Sequence, residues 1–272
     1  MTIALTGLLL APLLAGQGDK PQAPAAAPPV VTPAVEAETL ERASGALLLT
    51  ADYYAPKATA KGPMIVALHM EGSSRGEYAK SAAEFVLFGC TVLAVDLRAG
   101  KEHAGVVNKT AAAYSAKNGK PATLAESYDD IAEAVKWARE LRPEAKLLLL
   151  GSSSSATLAL AYAARVPAGV DAVIAISPSE SIEGWSVAAE VRNIKVPTLV
   201  MCGSEPEERP KATRFFNGID KKLRASFFPP PELALPHGAP LLWSDDETVR
   251  HRVWSPVHKA LAPLHLAADA DK

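Results

Sequence analysis

Residues 146–165 read KLLLLGSSSSATLALAYAAR, and the architecture follows from them. Leu147, Leu148, Leu149 and Leu150 form an apolar run with no polar alternation, the pattern of a strand buried on both faces of a parallel sheet. Gly151 and four serines follow, then an Ala/Leu-rich segment of good helix formers. The order is buried strand, tight turn of small residues, helix. Laying Gly-x-Ser-x-small on it puts Ser153 at the tip of the turn, the layout of a nucleophile elbow. Small residues are required there because the strand and helix backbones nearly touch; Ser155 stands where a second glycine is usual. Taken alone, the same stretch also reads as a serine-rich helix cap or an anion-binding turn. A Walker loop does not fit, since no Lys-Ser/Thr follows the turn.

The 272 residues exceed what one mid-sized domain needs, and the surplus is N-terminal. Residues 3–15, IALTGLLLAPLLA, are apolar but too few to span a bilayer as a helix. With the small Ala15 and Gly16 after them, residues 1–16 read as a signal peptide, which implies export to a periplasm or the exterior. No cysteine follows the run, so a lipoprotein anchor is not expected. Residues 17–37 are rich in Pro and Ala and read as a linker that cannot bury enough surface to offset its ordering entropy. The folded domain is expected over residues 38–267, with no membrane segment in the mature chain. Net charge is −2 with both signs scattered, which offers nothing to nucleic acid or an anionic membrane. There is no internal repeat and no Cys/His cluster of metal-binding type, so neither metal nor cofactor is expected.

Residues 45–54 read as an N-terminal strand leading into a hairpin, and 63–69 (PMIVALH) as the first fully buried strand. An amphipathic helix is expected over 77–87 and a buried strand over 91–96 (TVLAVD). Residues 97–123 are polar and read as a long irregular loop, a length that is uncommon unless the loop has a function. A helix over 126–141 puts Ile131, Ala134, Val135 and Ala138 on one face and ends at Pro143. Strands follow at 170–177, 196–203 and 225–228. A helix is expected from Pro210, a residue tolerated at a first helical position. A last helix over 246–261 should be interrupted near Pro256. The alternation argues a largely parallel sheet with helices on both faces. The short connection between Ser177 and Pro197 leaves no room for a large lid domain.

His237-Gly238 lies beyond the last strand, on a turn marked by Pro236 and Gly238. The chain order is Ser153, then acids after strand 196–203, then His237, the order of α/β-hydrolase triads. His69 ends a buried strand, His103 sits in the long loop, and His251, His258 and His265 belong to the C-terminal helical region. Glu205, Glu207 and Glu208 are the acids available, with no aspartate before Asp220. If the helix begins at Pro210, Glu207 and Glu208 stand just before its first turn, where the helix dipole alone favours acids. Glu205 comes two residues after Gly203, and Pro206 biases it towards extended backbone. The triad acid is therefore read as Glu205, with Glu207 as the alternative.

These motifs, together with VALHMEGSSRGEY, VLAVDLRAG, VPTLVMCG and PHG, resemble the α/β-hydrolase superfamily, in particular its dienelactone-hydrolase-like and small-carboxylesterase branch, over residues 45–262. The resemblance implies a mostly parallel sheet with helices on both faces and an acid about five residues before the helix proline, a spacing that Glu205 meets. The superfamily's His-Gly after the first buried strand reads His69-Met70 here. An oxyanion hole is implied from the backbone N–H groups of Met70 and Ser154, with Glu71 as the alternative to Met70. Asp96 and Arg98 resemble the family's Asp-x-Arg and read as a structural pair shaping their loop, with a binding role as the alternative. The implied function is a serine hydrolase acting on small-molecule carboxylic esters, thioesters or lactones through Ser153, Glu205 and His237. Two other readings stand beside it, a non-catalytic binding protein of the same fold and a peptidase. Cys90 and Cys202 would lie on strands several positions apart at ~4.8 Å per strand, beyond the ~7 Å reach of a disulfide.

Overall fold

The computed structural model describes residues 35–45, 47–57 and 61–265. The expected signal peptide, most of the expected linker and the expected domain end at residue 267 lie outside the described residues.

Strands β1 (Glu38–Ser44) and β2 (Leu47–Tyr54) form an antiparallel hairpin. Strand β1 goes beyond the sequence expectation, which placed the hairpin after residue 54. Its ETLERAS sequence alternates between exposed and half-buried positions at the sheet edge, so it carries no apolar signal. Next come β3 (Met64–Leu68), α1 (Ala82–Leu87) and β4 (Thr91–Val95). A 3-10 turn over Arg75–Tyr78 replaces the first part of the helix expected from residue 77.

Residues 97–123 are not the irregular loop that their polarity suggests. They hold a small hairpin, β5 (Glu102–His103) with β6 (Val106–Val107), and helix α2 (Lys109–Asn118). The Asn108 side chain caps α2 by accepting the Ala111 N–H at 2.8 Å, and Gly119 ends it with φ +68°. Such cap residues define helix ends even where no apolar stripe exists. Helix α3 (Tyr128–Leu141), β7 (Leu147–Ser152), α4 (Ser154–Arg165) and β8 (Ala172–Ile176) follow as expected. After a short α5 (Val187–Glu190) come β9 (Thr198–Met201), α6 (Glu208–Gly218), β10 (Arg224–Phe227) and α7 (Glu247–Leu261). Helix α7 runs through Pro256 without the expected interruption.

The eight-stranded sheet has the order β1-β2-β4-β3-β7-β8-β9-β10, antiparallel at β1 and β2 and parallel from β4 to β10. This is the α/β-hydrolase arrangement. Side chains of the central strands alternate between two buried faces. Val66, Leu147 and Leu149 pack with Ile131 of α3 and Leu158 of α4, whereas Ile65, Leu148 and Leu150 join Phe85 of α1 and Trp254 of α7. Both faces are apolar, so these strands show continuous apolar runs rather than alternation. Strand order reverses between β3 and β7, and the crevice beyond the carboxyl ends at such a reversal is where open α/β sheets bind ligands.

Asp96 and Arg98 do shape their loop, though not as a pair with each other. Asp96 accepts from Arg75 Nη1 at 2.7 Å and from the Arg75 backbone at 2.8 Å, while Arg98 Nη2 meets Asp130 at 2.6 Å. Cys90 and Cys202 are both unpaired and buried, with β3, β7 and β8 lying between their strands. Burial pushes their thiols up, to about 12 and about 11 respectively.

Candidate active site

Ser153 connects β7 to α4 with φ +55° and ψ −122°, a conformation that non-glycine residues rarely adopt. The turn holds it through the Ser153 N–H, which donates to the Ile176 carbonyl at 2.8 Å. Gly151 makes the turn possible, because a Cβ there would lie 2.5 Å from both Ala156 Cα and Ser155 O. Ser155, the second small residue, is fully buried and its Oγ has no partner among the described residues. The strained turn and the beginning of α4 leave the Ser153 hydroxyl at the carboxyl edge of the sheet, half-buried.

His237 Nε2 lies 2.7 Å from Ser153 Oγ, as the sequence reading expects. The carboxylate on the other side of the ring is not Glu205. Glu208 Oε1 stands 2.9 Å from His237 Nδ1, and Glu208 is buried while Glu205 and Glu207 are exposed on the cavity wall. The helix start explains the difference. Helix α6 begins at Glu208, so Pro210 is its third residue rather than its first. A proline costs no helical hydrogen bond anywhere in the first three positions, because those N–H groups have no partner within the helix. The first turn therefore begins two residues earlier and turns Glu208 inward.

Glu208 is well held. Its Oε2 accepts the Ser177 hydroxyl at 2.6 Å and the Gly203 N–H at 2.7 Å. Ser177, at φ +55° just after β8, accepts the Gly238 N–H at 3.0 Å through the same oxygen. Burial alone would raise the Glu208 carboxyl, but hydrogen bonds from His237, Ser177 and Gly203 outweigh it and hold it below the usual value. Hydrogen bonding to Glu208 raises His237 above its ordinary value against the effect of burial, and the charges of Glu208 and Glu77 add to the rise while Lys211 opposes it.

The expected oxyanion donors part company. The Met70 N–H is occupied: it donates to the buried Glu77 Oε2 at 2.8 Å. The Met70 carbonyl is fixed too, accepting from Ser73 N at 3.1 Å and lying 2.7 Å from His69 Nδ1. In a trans peptide the next N–H points opposite to that carbonyl, and the Glu71 N–H accordingly faces the elbow, donating to Ser154 Oγ at 3.1 Å. The Ser154 N–H is at the first position of α4, one of the donors a helix cannot satisfy internally. Glu71, the alternative in the sequence reading, is thus the residue whose N–H meets the elbow.

His69 is no second base. Its Nε2 accepts from Leu97 N at 2.9 Å, which leaves Nδ1 to carry the proton toward the Met70 carbonyl, and complete burial pushes its pKa down. Glu77, Ser177 and Glu208 carried no motif that marks them in the sequence; for Glu208 the signal was the tolerance of proline at a third helical position. The cavity at Ser153 holds about 240 Å³ and is walled by Ser177, Pro178, Glu205, Glu207, Lys211 and His237. Among the described residues no cluster of His, Cys, Asp and Glu could hold a metal ion, and no helix is long and apolar enough to cross a membrane.

The family model described as serine aminopeptidase, S33, matches residues 60–199, just over half of the chain. No curated protein matches. Among solved structures, the fold is similar to a dienelactone hydrolase from Anabaena variabilis (TM-score 0.66, 15% identity, 86% of this chain and 100% of that one). It is also similar to an esterase of Pyrococcus furiosus (0.62, 17%, 85% and 92%). An acylaminoacyl peptidase of Pyrococcus horikoshii aligns over 88% of this chain and 43% of its own, at TM-score 0.61 and 14% identity.

Proposed function

This chain belongs to the serine aminopeptidase S33 family of α/β-hydrolases, and from that membership we propose that it hydrolyses carboxylic esters through an acyl-enzyme on Ser153. The observation that carries this reading is the line Ser153 Oγ, His237, Glu208, with separations of 2.7 and 2.9 Å, on a strained strand–helix turn. His237 Nε2 takes the Ser153 proton as Oγ attacks the acyl carbon, and the carbonyl electron pair moves onto oxygen. Glu208 fixes the Nδ1–H tautomer and stabilises the imidazolium, the part assigned to Glu205 on sequence alone. The N–H groups of Glu71 and Ser154 receive the oxyanion, each such donor contributing ~2.7–4 kcal/mol. Substrate takes the place at Glu71 that Ser154 Oγ holds in the free protein. Collapse expels the alcohol oxygen, which takes the proton from His237. A water deprotonated by His237 then attacks the acyl carbon, and Ser153 regains its proton as the acid leaves.

The cavity is smaller than the roughly 300–1,000 Å³ of sites for drug-sized ligands, which favours short acyl groups. A second reading, amide or peptide cleavage, is favoured by the family's description as an aminopeptidase family; the same residues would serve, with His237 protonating the leaving amine. Fluorophosphonate labelling followed by a panel of p-nitrophenyl esters and aminoacyl p-nitroanilides tests both. Labelling at Ser153 with turnover of short esters is expected. A folded domain that takes no label would make this a binding protein, and turnover of anilides alone would favour the peptidase.

A further inference from the structure

The triad leaves one buried carboxylate beside it unexplained. Glu77 sits in the 3-10 turn after the oxyanion loop, almost wholly buried, between three segments of the site. Its Oε2 accepts the Met70 N–H at 2.8 Å, which fixes the oxyanion loop. Its Oε1 accepts the Ser152 hydroxyl at 2.5 Å, which fixes the residue just before the nucleophile. Ser152 Oγ in turn accepts the Ala239 N–H at 2.8 Å, two residues beyond His237. The packing leaves little slack: a Cβ on Gly238 would lie 2.7 Å from Ser152 Oγ and 2.8 Å from Met70 Cε.

We infer that Glu77, acting through Met70 and Ser152, is the positioning residue that holds the oxyanion loop, the Ser153 turn and the His237 loop in register. The inference rests on the serine-hydrolase reading of the site. A buried carboxylate is costly unless donors satisfy it, and this one is met by two donors belonging to two different parts of the site. Met70 N–H directed to Glu77 sets the Met70–Glu71 segment, so that the next N–H is the one presented to the elbow. Ser152 has little reach, and its hydroxyl spans the remaining gap to the His237 loop. Misplacement of catalytic groups by about 1 Å can cost ~10²-fold in rate, so a register device of this kind is read in kcat rather than in binding. The charge of Glu77 also reaches His237. That ring is faced by Glu208 and Lys211 from α6 and by Glu205 and Glu207 from the loop before it, and it feels the charge of Glu77 from the 3-10 turn.

The test compares Glu77→Gln and Ser152→Ala with wild type on p-nitrophenyl acetate, with melting temperature and an NMR pH titration of the His237 imidazole. Glu77→Gln keeps the shape but cannot accept from both Met70 and Ser152 as a carboxylate does. It is expected to lower kcat about 10–100-fold with KM within about twofold, and to move the His237 titration and the acidic limb of kcat/KM to lower pH. Ser152→Ala retains the charge, so kcat should fall while the His237 titration stays in place. Wild-type kcat in Glu77→Gln with an unmoved titration overturns the inference and leaves Glu77 a packing residue. If Glu77→Gln does not fold, folded Ser152→Ala decides: full kcat overturns the inference, and reduced kcat with an unmoved titration supports it. Failure of the hydrolase reading is distinguishable, because it appears as an unlabelled wild type; the His237 titration in Glu77→Gln then still decides whether Glu77 acts on the histidine.

Discussion

Glu208 and Glu77 each reach the histidine loop through a serine and are built alike. Each is buried, each accepts one backbone N–H, from Gly203 and Met70 respectively, and each accepts one serine hydroxyl. Those serines, Ser177 and Ser152, in turn accept consecutive N–H groups of the histidine loop, at Gly238 and Ala239. The difference is the remaining oxygen. Glu208 Oε1 reaches His237 Nδ1 directly, whereas both oxygens of Glu77 are used on the loop and the elbow. Glu208 comes first and Glu77 last among the groups that raise His237, so in the proposed mechanism Glu208 chiefly sets the proton affinity of the ring and Glu77 chiefly sets where the histidine and oxyanion loops stand. Two similar relays thus differ by one contact.

The largest effect expected is on the direct line. Ser153→Ala should lower kcat by ~10⁶-fold and Glu208→Gln by ~10⁴-fold, while Glu205→Gln and Glu207→Gln stay within about threefold of wild type. Single-turnover and steady-state assays measure this, and a large loss in Glu205→Gln with none in Glu208→Gln would break the comparison. Ser177→Ala removes a donor from Glu208 and the acceptor of Gly238 N–H. A loss of about 10–100-fold in kcat/KM is expected, and an unchanged value would mean that Gly203 alone suffices to hold Glu208.

The two carboxylates act on His237 in the same direction and differ in how strongly. In the proposed mechanism His237 must be neutral to accept the Ser153 proton, and hydrogen bonding to Glu208 raises its pKa. The acidic limb of kcat/KM therefore lies above the ordinary histidine value, and Glu208→Gln should move it to lower pH. Stability runs the other way. The Glu208 carboxyl is depressed in the folded protein, so its contribution is present above the ordinary carboxylate range and fades as pH falls through its lower folded value. Urea midpoints of wild type and Glu208→Gln should accordingly differ in slope on the acid side. The smallest effect is expected at Ser155, whose buried hydroxyl neither relay reaches. Ser155→Ala should raise stability by up to ~1 kcal/mol, read as a rise in melting temperature; a fall would mean that the hydroxyl has a partner.

The elbow was legible because everything it needs is adjacent in the chain. A buried strand, a glycine where backbones touch and a helix former specify the turn locally, and only the strain at Ser153 remained to be seen. His237 was legible for a similar reason, standing on a Pro-His-Gly turn after the last strand. The acid was not. Glu205, Glu207 and Glu208 differ in sequence by little, and the choice turned on which helical position Pro210 takes, which the first turn leaves open. Helix α2 was missed because its ends are marked by Asn108 and Gly119 while its surface carries no apolar stripe.

By itself the sequence determined the parallel sheet, the strand that leads into the Ser153 turn, and the turns that carry Ser153 and His237, because those depend on apolar runs and on turns a few residues long. The tertiary structure alone decided which glutamate meets the ring, which N–H faces the elbow and that Glu77 belongs to the site at all. Each of these rests on a polar contact between segments far apart in the chain: 29 residues separate Glu208 from His237, 83 separate Glu71 from Ser154 and 75 separate Glu77 from Ser152. No local pattern encodes such a partner, since a glutamate bound for solvent and one bound for a buried relay have the same side chain until the fold closes around them.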